Sequence, residues 1–146
     1  DNLGKICEYR VKQSDFGYKV SPFQNTGNII LAAEFILQQS GKEILLTKAA
    51  EFKKDRTAKG HYSYPCAGSV FKNNRDFGHP SGKIIDSLGL RGFSIGGAQV
   101  SPLHANIIIN NGNATAADIK ELIQLIEDKV FKTYGFRLEK EIIYID

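Results

Sequence analysis

His104-Ala-Asn-Ile-Ile-Ile-Asn-Asn-Gly-Asn-Ala-Thr115 joins a strand to a helix. Residues 105–110, with three isoleucines in a row, read as a strand buried on both faces, because an unbroken apolar run leaves no side for solvent. Asn111-Gly-Asn113 turns the chain. Thr115 then stands as a helix N-cap, with Asp118 three positions on to complete a capping box. Beyond it Ile119, Leu122, Ile123, Ile126, Val130 and Phe131 recur at helical spacing until Gly135 ends the helix at about Tyr134. Such a stripe is core, not a cofactor contact.

Working outward, residues 138–145 read as a last strand, charged at its start and apolar at its end. Upstream, residues 93–100 read as a strand interrupted by Gly96-Gly97, the mark of a bulge or a close backbone approach. The pair is not a dinucleotide fingerprint, since the spacing differs and no strand-turn-helix surrounds it. A short helix from about Ser81 buries Ile84, Ile85 and Leu88 and stops at Gly89, after a turn-rich loop at 73–80 and a short strand at 69–72. The order strand, helix, strand, strand, helix, strand predicts an α+β fold: a mixed or antiparallel sheet with two helices packed on it. Before it, the polar linker at 57–64 is the best domain boundary. Residues 28–38 alternate as a strand with Ile29, Leu31, Ala33, Phe35 and Leu37 on one face. Ser40 with Glu43 then opens a helix whose stripe is Ile44, Leu45, Ala49 and Phe52, fading over 53–56. The expected division is 1–60 and 61–146.

The 146 residues suit one domain, or one domain and part of another. Nine phenylalanines and six tyrosines within 42% apolar content allow a true core. No apolar run is long enough to span a membrane and no signal peptide pattern is present. Cys7 and Cys66 show neither metal-site spacing nor a disulfide framework, which favours a reducing cytoplasm. No His, Cys, Asp and Glu cluster has ligand spacing, so no metal is expected. A net charge of +3, with the two signs mixed, suits an anionic small ligand and argues against nucleic acid. The chain has no methionine. It opens on Asp1-Asn-Leu-Gly4, a hairpin-turn pattern, followed by a strand candidate at 5–9 with no upstream partner. The expectation is a piece cut from a longer chain.

Chemistry concentrates in Tyr64-Pro-Cys-Ala-Gly-Ser-Val-Phe-Lys-Asn-Asn74. A proline and a glycine bracket a change of direction, and Ser69 stands at the mouth of an apolar strand with Lys72, Asn73 and Asn74 close behind. Serine is a poor acid in water. To give up its proton it needs neighbours that hold the charge left behind. Taken alone, Gly-Ser before a strand is ordinary turn chemistry.

Together with Ile95-Gly-Gly-Ala-Gln-Val-Ser101 and the 104–115 segment, in this order, the motif resembles the carboxy-terminal part of bacterial UDP-N-acetylenolpyruvoylglucosamine reductase. The resemblance runs from about Phe16 and is strongest from Tyr64 onward. It implies a flavoenzyme of peptidoglycan precursor synthesis that reduces an enolpyruvyl ether of a UDP-sugar to a lactyl ether, with FAD recharged by NADPH. Residues 1–60 would then be the tail of the FAD-binding domain and 61–146 the substrate-binding domain. The partner would be the amino-terminal FAD-binding region of the same protein, and the piece alone would be inactive. By the same resemblance Ser69 is the proton donor and Asn73 helps hold substrate. Glu141, in Leu138-Glu-Lys-Glu-Ile142, matches the second glutamate of the family's Leu-Glu-Pro-Glu-Val ending, a carboxylate beside the reacting group; Lys140 replaces the proline. Phe16-Gly-Tyr-Lys-Val-Ser-Pro-Phe23 is similar to the family's Phe-Gly-Tyr-Arg-Asp-Ser-Ile-Phe, so Tyr18 falls on a substrate-side tyrosine and Lys19 on the active-site arginine. Lys19 either balances the developing negative charge as a point charge, without the arginine's planar fork, or is a surface lysine. Arg91 and Lys59 stand where basic residues meet the diphosphate, and His104, at a position that is polar in the family, is either a substrate contact or a satisfied structural side chain. His61 and His79 read as loop residues. The alternative is a free-standing, non-catalytic nucleotide-sugar-binding module.

Overall fold

The structure, a computed structural model, describes residues 3–60 and 62–145. The hairpin turn expected over 1–4 lies partly outside the described residues, and His61 lies wholly outside them. The chain forms two units that divide between Ser40 and Gly41.

In the second unit the isoleucine run forms β4 (Ile107–Asn110). It is a central strand of a four-stranded sheet ordered β1–β4–β3–β2, with β1 at Cys66–Ser69, β2 at Ser94–Ile95 and β3 at Ala98–Val100. Every pairing is antiparallel, with Val100 opposite Ile108 and Ala98 opposite Asn110. All three isoleucines are buried, as a run without a polar side requires. Helix α3 (Ala116–Tyr134) begins with the expected reciprocal cap: Thr115 Oγ1 accepts the Asp118 N–H at 3.1 Å, and Asp118 Oδ2 accepts the Thr115 N–H at 2.9 Å. It ends at Gly135 in the left-handed region, φ 78°. Leu122, Ile123, Ile126 and Val130 form its buried stripe, each burial worth about 1.5–3 kcal/mol. Helix α2 (Ser81–Ser87) contributes Ile84 and Ile85 to the same core and stops before Gly89. The fold is α+β, an antiparallel sheet with helices packed against it.

Several sequence expectations need correction. Residues 93–100 are not one strand with a bulge but a hairpin, β2 paired with β3, and Gly96-Gly97 is its two-residue turn. The close approach is real: a Cβ at Gly97 would sit 2.2 Å from the Gly112 carbonyl oxygen and 2.4 Å from the Ala114 amide nitrogen. The strand expected at 69–72 is β1, shifted three residues earlier. The last strand is reduced to a bridge, Phe71 opposite Lys140, flanked by Lys72 N–H to Glu139 O and Glu141 N–H to Val70 O, both 2.8 Å.

Helix α1 (Lys42–Ala58) begins at Gly41 rather than Ser40, without a side-chain cap, and continues past 53–56. None of its residues is buried, so Ile44, Leu45 and Phe52 cover nothing among the described residues. Residues 28–38 form no strand, and everything from 24 to 40 is exposed. A period-two pattern becomes a strand only when a neighbour takes up its backbone groups, and no described residue pairs with this stretch. Residues 5–9 are not a strand either. The first unit is organised instead around a 3-10 turn (Gln13–Asp15) and edge-on contacts of Phe23 with Tyr9 and Phe16.

Candidate active site on the 69–73 segment

Residues on β1 set where Ser69 lies. Cys66 pairs with Ile109 and Ser69 with Ile107, so three steps on β1 answer two on β4. That bulge, with Gly68 at φ +85°, interrupts the regular β1–β4 register. Immediately beyond it the backbone changes partner. Val70 donates its N–H to the Asn106 carbonyl at 2.8 Å and accepts the Glu141 N–H at 2.8 Å. Positions 69 and 141, distant along the chain, therefore lie on neighbouring antiparallel segments, and both residues are half-buried. The adjoining Lys72 and Glu139 form an ion pair at 2.5 Å across the same two segments. One segment carries a hydroxyl and the other a carboxylate, and the Lys72 ammonium is engaged with Glu139.

Asn73 ties this segment to α2. Its Oδ1 accepts the Ser81 N–H at 3.0 Å, while the fully buried Ser81 hydroxyl donates to the Lys72 carbonyl at 2.6 Å. The loop that follows is pinned by Phe77, stacked on Phe136 with ring centroids 3.9 Å apart. His104 serves the turn into β4: its Nδ1 accepts the Asn106 N–H at 3.3 Å, and its ring lies against Gly82. The fork of Arg91 is engaged with the Asp86 carboxylate, Nε to Oδ1 at 2.5 Å and Nη2 to Oδ2 at 2.8 Å. Lys59, just past α1, pairs with Asp55 at 2.7 Å. His79 is exposed in its loop.

Tyr18 and Lys19 belong to the first unit. They form the tip of a tight turn closed by two backbone bonds between Gly17 and Val20, 3.0 and 3.2 Å, with Lys19 in the left-handed region at φ 59°. The Gln24 carboxamide staples the turn, accepting the Ser21 N–H and donating to the Lys19 carbonyl.

Two features escaped the sequence reading. Asn106 is buried and holds Phe71 from both sides: Oδ1 accepts the Phe71 N–H at 3.0 Å, and Nδ2 donates to the Phe71 carbonyl at 2.8 Å. The signal was a carboxamide at the edge of an apolar run, which cannot be buried without partners. Glu127, on the buried stripe of α3, receives the Lys140 ammonium on both oxygens at 3.0 and 3.1 Å. A carboxylate at a helical core position was the clue there.

The glycine pair does not fit a flavin diphosphate. The Gly97 amide donates to Asp118 Oδ2 at 3.3 Å and its carbonyl accepts the Asn111 N–H at 2.9 Å, so this turn is filled by its own chain. Among the described residues no group of His, Cys, Asp and Glu stands together as a metal site.

Residues 60–145 match the family described as UDP-N-acetylenolpyruvoylglucosamine reductase, C-terminal domain. The chain is 47% identical over 145 residues to the UDP-N-acetylenolpyruvoylglucosamine reductase of Borrelia garinii subsp. bavariensis, covering 99% of this chain and 47% of that protein. It is 47% identical over 149 residues to the enzyme of the same name from Treponema denticola, covering 96% and 46%. A crystal structure of UDP-N-acetylenolpyruvylglucosamine reductase from Thermus caldophilus superposes with a TM-score of 0.55 at 33% identity, over 73% of this chain and 37% of that one. The chain spans about half the length of the curated relatives it matches.

Proposed function

We propose that this chain, which belongs to the UDP-N-acetylenolpyruvoylglucosamine reductase family, is the carboxy-terminal part of a cytoplasmic enzyme that reduces enolpyruvyl-UDP-N-acetylglucosamine to UDP-N-acetylmuramate with NADPH. Residues 1–60 are the end of its FAD-binding domain and 61–146 its substrate-binding domain. FAD, held by the amino-terminal region and recharged by NADPH, supplies the hydride when bound. The residues of this chain bind the nucleotide sugar and manage charge and proton. In the net reaction the vinyl carbon gains a hydride, its neighbour gains a proton, and NADPH leaves as NADP+.

Ser69 is the proton donor to that neighbouring carbon, and Glu141 orients and polarises the enolpyruvyl group. Lys19 balances the negative charge that develops before protonation. Tyr18, Asn73 and His104 contact substrate, and Lys59 and Arg91 meet the diphosphate. For Arg91 that contact competes with Asp86, which holds its fork. The chain alone is inactive in this reading.

The observation that carries the reading is the Val70–Glu141 backbone bond, which sets the serine segment beside the glutamate segment in a member of this family. The test is Ser69→Ala in the whole enzyme. Reduction of the enolpyruvyl substrate should slow by about 10²–10⁴-fold, the usual contribution of a positioned general acid, with NADPH-driven flavin reduction unchanged. Unimpaired reduction of the substrate would remove the assignment.

A further inference from the structure

The main-chain groups of residues 70 and 71 are the shortest covalent route from Ser69 into the core, and one side chain bonds both main-chain groups of Phe71. Asn106 is 4% exposed. Its carboxamide bonds both the N–H and the carbonyl of Phe71, at 3.0 and 2.8 Å, while the main-chain carbonyl of Asn106 accepts the Val70 N–H at 2.8 Å. Beyond the bulge of β1 no β4 backbone remains opposite Phe71, and the carboxamide supplies the donor and acceptor that a strand would have offered. Asn106 is itself held, since its N–H donates to His104 Nδ1. On the opposite side the segment is bonded to 139–141. Residues 70–72 thus run between two sets of bonds, and on the Asn106 side both bonds to Phe71 are made by a side chain.

We propose that Asn106 is the positioning residue of the serine segment, fixing where the Ser69 hydroxyl points without touching substrate. This rests on Ser69 being the proton donor. A carboxamide is suited to the task because it offers one donor and one acceptor in a plane, matching a peptide unit. Aspartate keeps only the acceptor, and alanine offers neither. Loss of the clamp releases the stretch behind Ser69, and displacement of a reacting group by about 1 Å costs on the order of a hundredfold in rate.

The experiment is a double-mutant cycle in the whole enzyme: Asn106→Ala, Ser69→Ala and the two combined. Reoxidation of the NADPH-reduced enzyme by the enolpyruvyl substrate is followed in a single turnover, together with the pH profile of kcat. Asn106→Ala should slow that step by about ten- to a hundredfold, leave reduction by NADPH unchanged, and add almost nothing in the Ser69→Ala background, because its effect passes through the serine. Full additivity, or an equal loss in both half-reactions, would overturn the inference. Should Asn106→Ala fail to fold, Asn106→Ser, which retains one hydroxyl partner, carries the same comparison. Hydrogen exchange in the unsubstituted protein decides independently: the Phe71 amide should be as protected as those of β4, and exchange at loop rates would sink the clamp. If Ser69→Ala itself leaves reoxidation untouched, it is the proton-donor reading that fails. Phe71 protection then still reports on the clamp alone.

Discussion

At the scale of single residues, the side chains that organise this protein mostly satisfy backbone groups. Asn106 stands in for a strand, Asn73 and Ser81 weld a strand to a helix, and Asp118 closes both a helix and a hairpin. For Asp118 there is a pH consequence. The Thr115 amide above all, with the Gly97 amide and the Thr115 hydroxyl, holds its carboxyl below the ordinary aspartate range, against a smaller opposing effect of desolvation. A carboxyl whose folded value is depressed contributes its full stability above its unfolded value, about 3.9, and loses it as pH falls through the lower folded value. The protein should therefore lose denaturant resistance in that acid window, and Asp118→Asn should flatten this part of the profile while lowering stability at neutral pH. Urea midpoints measured across the acid range check it. An unaltered acid slope in the variant would mean that other carboxyls carry it.

At the scale of elements, the C-terminal segment bearing Glu141 is held by one strand bridge, two ion pairs and the buried side chain of Leu138. Lys140 stands where the resembling motif has proline, and its ammonium reaches Glu127, whose side chain is 9% exposed against 38% for the lysine. Proline would restrict the segment through its own ring; here a contact with α3 holds it. Removing one partner leaves a buried carboxylate uncompensated. Lys140→Ala should cost roughly 1–3 kcal/mol, below the full cost for a buried pair because the lysine end is partly solvated. Combining Lys140→Met with Glu127→Leu should recover most of that loss, since an apolar pair avoids the desolvation. Chemical denaturation of the single and double variants checks this. A double variant no better than Lys140→Ala would show that the pair is not what matters.

At the scale of the whole molecule, burial is concentrated between β1 and Leu138. Residues 24–40 are exposed throughout and α1 buries nothing, whereas Gly60 is already packed against Leu103. Backbone with neither burial nor ladder bonds opens first. Limited proteolysis should cut within 24–40, then within α1, and leave a resistant product beginning close to Gly60. Equally early cuts in β4 or α3 would contradict this order, with mass spectrometry of the products as the measurement.

What could be read in advance follows from the range of the interactions. The α3 cap, its stripe and its glycine stop depend on neighbours a few residues away, so the sequence by itself determined them. It also determined the α+β class and, through three ordered motifs, the family. Short-range patterns misled where a partner was needed: 28–38 alternates perfectly well yet finds no ladder among the described residues, and Gly96-Gly97 makes a turn because β3 folds back on β2. Only the tertiary structure decided that the 69–72 and 139–141 segments lie side by side, that Asn106 fills the gap left by the β1 bulge, and that Lys140 reaches Glu127. Such contacts join chain segments far apart in sequence, and their free energy exists only once the core between them has closed.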